Sequence, residues 1–80
     1  MNLKRPTRYR QRRLELLDML EDSYVQWRDE SRAVAESYRT WHSAAGSERD
    51  VAFDRYVAAL DREEHAACGY RRVVERAYET

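Results

Sequence analysis

The sequence predicts an all-α protein, two long helices folded back antiparallel on each other as a coiled-coil-like hairpin. Three observations predict it. Apolar residues recur at alternating steps of three and four through both halves of the chain. One break, at Ala44-Ala45-Gly46-Ser47, separates the halves. And the 80 residues include only two Gly and one Pro, too few for an all-β chain that turns every 8–12 residues or so.

The first helix is expected from about Thr7 to Ala45. Pro6 stands at or just before its first turn, where a missing N–H costs nothing. Its apolar series is Leu17, Leu20, Tyr24, Trp27, Ser31, Val34, Tyr38, Trp41 and Ala45, an unbroken heptad seam with one polar member. At about 1.5 Å per residue this helix is about 55–60 Å long.

Gly46 suits the left-handed residue that closes a helix. Ser47 with Asp50 three residues on resembles a capping box, and Glu48 and Asp50 favour a helix N-terminus. The turn is therefore placed at 45–47 and the second helix at about 48–78. A connection this short makes the helices antiparallel neighbours. The second seam reads Phe53, Tyr56, Leu60, Glu63, Ala67, Tyr70, Val74, Ala77. Beside it runs a second stripe one heptad apart, Ala52, Ala59, Ala66 and Val73, with Gly69 nearby. This widens the apolar face beyond what one partner helix requires, so Ala52, Ala59, Ala66, Gly69 and Val73 are read as the face for a further helix.

The seams hold seven large rings, Tyr24, Trp27, Tyr38 and Trp41 on the first helix and Phe53, Tyr56 and Tyr70 on the second. Each buries about 150–250 Å² when enclosed, more than one facing helix covers. Two helices of this size are marginal alone. The expected solution is a homodimer forming a four-helix bundle.

Charge is unevenly spread although the 15 basic and 15 acidic residues balance. Residues 1–13 carry Lys4, Arg5, Arg8, Arg10, Arg12 and Arg13 and no acid; residues 14–80 carry nine basic and fifteen acidic side chains. The chain thus divides into a basic N-terminal arm, an extension of the first helix, and an acidic hairpin over 14–80. With facing residues adding to about 92, the arm projects past the second helix. It is the candidate contact for an anionic partner: nucleic acid, an acidic protein or a membrane surface. A solubilising tail is the competing reading. Arg outnumbers Lys fourteen to one and Ile is absent, the imprint of a GC-rich genome of the actinobacterial or phage kind. Arg abundance alone therefore says little about nucleic acid.

Ser23-Tyr24-Val25-Gln26-Trp27-Arg28 returns fourteen residues later as Ser37-Tyr38-Arg39-Thr40-Trp41-His42. Two heptads put both Tyr-Trp pairs on one side, as packed core or as a platform for a ring-bearing ligand. Core is the reading the spacing favours. Glu63 interrupts the second seam opposite the stretch from Trp27 to Ser31. Ser31 and Glu63 are read as a polar layer setting register, with Ser31, Trp27 or Arg28 as donor.

No catalytic set is read, because Glu63 lacks an obvious second group. No metal or cofactor site is read either: Arg62 occupies the place of the carboxylate in a Glu-x-x-His pair ending at His65. The single Cys68 excludes an internal disulfide and is expected buried and inert. The longest apolar run is four residues, Val57 to Leu60, so neither a membrane span nor a signal-peptide core is expected, and a cytoplasmic location is.

Two groups of helical proteins resemble the chain in outline. Trp-x-Gly secreted hairpins share its length and a Trp near the turn, but Trp41-His42-Ser43 lacks their Gly, and Val74 stands four residues after Tyr70 where they place an acid. Small all-helical chorismate mutases open on an Arg-rich helix and a run like Leu17-Asp18-Met19-Leu20, but that fold implies three helices and converging cations. The reading adopted is a non-enzymatic helical interaction or regulatory module acting as a homodimer. A nucleic-acid-binding accessory protein is the alternative, then a secreted hairpin or small helical enzyme.

Overall fold

A computed structural model describes the backbone of residues 4–79 and the side chains of residues 8–79. Two helices account for nearly all of it: α1, Lys4–Ser43, and α2, Ser47–Glu79. They run antiparallel as a hairpin whose longest Cα extent is 73 Å against 15 and 12 Å across.

The connection follows its residues closely. Pro6 falls in the first turn of α1, a position that needs no N–H donor. At the other end Ala44 N–H donates to the Trp41 carbonyl at 3.2 Å, a three-residue step that tightens the last turn and ends the helix at Ser43, two residues before the expected boundary. Gly46 takes φ 63°, and a Cβ built on it meets nothing within 4 Å. Backbone conformation alone calls for glycine there. Its carbonyl accepts from Arg49 N–H at 3.2 Å, opening α2. Ser47 makes no capping bond among the described residues; Gly46 serves that end instead. Arg49 reaches back, its Nη1 3.5 Å from the Ala44 carbonyl and its guanidinium 5.4 Å from the Trp41 ring. A cation over an aromatic face at a helix C-terminus is favourable on both counts.

The packing corrects the seam. Half of the expected positions face across the hairpin: Leu20, Trp27, Val34 and Trp41 on α1, and Tyr56, Glu63, Tyr70 and Ala77 on α2, all half-buried. The other half do not, and Leu17, Tyr24, Tyr38, Phe53 and Leu60 are exposed. One residue towards the N-terminus stands the true complement. On α1 it is Leu16, Ser23, Glu30, Ser37 and Ala44; on α2 it is Ala52, Ala59, Ala66 and Val73. The alanine stripe read as a face for a further helix is therefore covered by α1 within the chain, with Ala59 only 1% exposed. Gly69 leaves that stripe for the polar side, seven residues from both Arg62 and Arg76.

The physical cause is size. Interaxial distance is set by the side chains at the contact, and Ala and Ser permit a close approach that Tyr or Trp prevents. The serines satisfy themselves locally: Ser23 Oγ donates to the Met19 carbonyl at 2.7 Å and Ser37 Oγ to the Val34 carbonyl at 3.0 Å. They therefore face α2 without needing a partner there. The rings are displaced sideways and lie over the gap between the helices.

Candidate interaction face

Each copy of the fourteen-residue repeat builds one aromatic cluster. Near the turn, Trp41 stacks on Tyr56 with centroids 5.4 Å apart and 15° between planes, and meets Phe53 at 5.1 Å. Tyr38 closes that group at 5.6 Å from Tyr56. Two heptads away, Trp27 stacks on Tyr70 at 5.7 Å and 9°, with Tyr24 5.6 Å from Tyr70. The repeat extends to α2, where Ala52 with Tyr56 recurs as Ala66 with Tyr70. In each unit a small residue lets the helices close and a ring beside it stacks across the gap. Face-offset and tilted geometries of this kind add about 0.5–1.5 kcal/mol per pair beyond buried area.

A polar layer separates the clusters. Trp27 Nε1 donates to Glu63 Oε2 at 2.7 Å, a short charge-assisted bond. On the opposite side of the same layer Arg62 pairs with Glu30 at 3.3 Å. Ser31 is half-buried nearby but is not the donor to Glu63; Trp27 is.

The two sides of the hairpin differ. One carries both clusters, extended by Leu17, Leu60, Ala67 and Val74, and it is open: Tyr24 is 40% exposed and Tyr38 45%. The other carries Gln26, Thr40, Arg55, Arg62 and Arg76, with shallow grooves of mixed lining such as the one between Ala33, Ala58, Thr40, Arg55 and Arg62. Among the described residues only Ala52, Ala59 and Ala66 are buried. The chain exposes 6884 Å², about a third more than the roughly 5,100 Å² of a compact monomer of its mass.

The arm is a direct continuation of α1, and Arg8, Arg10, Arg12 and Arg13 are exposed on it. The side chains of Lys4 and Arg5 lie outside the described residues. Arg13 contacts its helical neighbour Tyr9, with its guanidinium 5.9 Å from the ring. Cys68 is half-buried rather than buried, 3.8 Å from Arg71 Nη2. Among the described residues no group of three or more His, Cys, Asp or Glu is placed to share a metal, and no helix is long and apolar enough to cross a membrane.

The outward aromatics are what sequence reasoning misplaced, by one residue per heptad on both helices. The signal that locates them was present in the recurrence of Ala or Ser one position before each outward ring and before Leu60: Ser23-Tyr24, Ser37-Tyr38, Ala52-Phe53 and Ala59-Leu60. No family model, curated protein or solved structure matches the chain.

Proposed function

We propose that the chain is a helical interaction module that works as a homodimer, the aromatic side of one copy covering that of the second to complete a four-helix bundle. One observation carries the reading: among the described residues only three alanines are buried, beneath a face of seven rings of which four are half-buried and Tyr24, Tyr38 and Phe53 are exposed. Three alanines supply little of the apolar burial a domain of this size needs. Covering the rings supplies it, at about 25 cal/mol per Å². Sedimentation equilibrium at micromolar concentration is expected to give twice the 9.6 kDa chain mass, with a melting temperature that rises with concentration. A monomer mass and a concentration-independent melting temperature overturn the proposal.

A second reading rests on the arm: Arg12 still shares a surface groove with Arg76 and Glu79 at the end of α2, so only its earlier part, with exposed Arg8 and Arg10, extends past the hairpin. An anionic polymer held there binds through counterion release. Its affinity is expected to fall steeply with salt and to vanish when residues 1–13 are deleted; salt-insensitive binding by the truncated chain excludes it.

A further inference from the structure

Charged residues border the aromatic side along both of its edges. On the α1 edge stand Glu21 and Arg28, and on the α2 edge Glu64 and Arg71, each pair seven residues apart. Arg28 lies 5.8 Å from the Tyr24 ring, which fixes that edge beside the aromatic face. All four are exposed, and among the described residues none of them forms an ion pair. Since Tyr24 meets Tyr70 and Tyr38 meets Tyr56, Arg28 stands about level with Glu64, and Glu21 about level with Arg71. Each of these two levels has a cation on one edge and an anion on the other, with the signs exchanged between the levels.

We propose that the occupant of the aromatic face is a second copy with its turn at the same end, related by a twofold axis parallel to the helices; this rests on the homodimer reading above. Such a rotation lays α1 of each copy over α2 of the other and carries each edge onto the opposite edge at the same level. Arg28 then meets Glu64 of the second copy and Glu21 meets its Arg71, so these four edge charges all face their opposites. In the same register each aromatic cluster covers its own equivalent. Turns at opposite ends do not achieve both. The register that pairs Arg28 with Glu21 carries the Tyr38–Phe53 cluster beyond the second hairpin, over its N-terminal segment. The register that superposes the two clusters sets Arg28 and Glu64 against Ala35 and Val57. The face is about 45 Å long and about 18 Å wide, roughly 800 Å² per copy, which is the size of a standard specific interface. One consequence is that both basic arms leave the bundle at the same end.

The test places a nitroxide at Gln11→Cys in a Cys68→Ser chain and measures the dipolar distance together with the sedimentation mass. Same-end packing gives a distance below about 40 Å, because only the width of the bundle separates the labels. A dimer mass with a distance above about 40 Å, or with no resolvable coupling, overturns the orientation and leaves the dimer standing, since position 11 of one copy then lies about 27 residues or more along the axis from that of the other. A monomer mass overturns the dimer itself. Charge exchange supplies a second measurement. Arg28→Glu is expected to raise the dimer dissociation constant about tenfold, and adding Glu64→Arg to the same chain to restore it. In the opposite-end register, where position 28 faces position 21 and position 64 faces position 71, the double variant instead brings two acids together at one contact and two cations at the other. Failure of rescue therefore overturns the same-end register.

Discussion

Ala59→Leu is expected to destabilise the hairpin by about 3 kcal/mol, lowering the melting temperature by about 10–20 °C at fixed chain concentration. Ala59 is 1% exposed and sits midway along the contact between α1 and α2. Three additional carbons have nowhere to go unless the helices separate. Separation is costly beyond the site, because the stacked pairs Trp27–Tyr70 and Trp41–Tyr56 span the gap at 5.7 and 5.4 Å and widen with it. Ala58→Leu is the control. Ala58 is exposed on the neighbouring helical position, and the same added bulk there is expected to change stability by less than about 0.5 kcal/mol. Urea or thermal unfolding of both variants, at several concentrations, reads the difference. An Ala59→Leu chain that melts normally but changes only its oligomeric mass shows the alanine stripe to be an outward face, and overturns the packing described here.

The helices and their turn were legible because their signals are local. An uninterrupted three-four periodicity, two glycines and one proline leave few alternatives, and Gly46 needs only its own φ to act. The Trp27–Glu63 contact follows from counting outward from that turn. The facing positions were less legible, because two apolar stripes ran side by side on α2 and hydrophobicity alone selects the larger. Phe53, Leu60 and Val74 outweigh Ala52, Ala59 and Ala66 on any transfer scale. Yet helices approach most closely along the small residues, and dispersion rewards that approach over the full length of the contact. Steric size, which periodicity does not weigh, decided between the stripes. The edge charges were hidden for the same reason: Arg28 and Glu64 border a face only once that face is known to point outward.

Trp41→Ala is expected to cost about 3–4 kcal/mol and to shift the chain towards monomer. Trp41 meets each of the other rings of the turn-proximal cluster, Tyr38 at 5.9 Å, Phe53 at 5.1 Å and Tyr56 at 5.4 Å, and carries the Arg49 guanidinium 5.4 Å from its ring. Within one hairpin the indole is only half-buried, which by itself supports the lower end of that range. Covering by a second copy removes the rest of its surface from water and raises the cost. The concentration dependence of the loss therefore carries information that its size does not. At concentrations where the wild-type chain is dimeric, the full penalty is expected; on dilution below the dissociation constant, the difference between variant and wild type is expected to shrink. Trp41→Phe keeps the stacking partner for Tyr56 and is expected to retain more than half of the stability lost in Trp41→Ala. A loss below about 1 kcal/mol for Trp41→Ala at every concentration shows that the ring lies idle on the surface. The open aromatic side would then have no structural role, and a platform for a ring-bearing ligand would be the reading left for it.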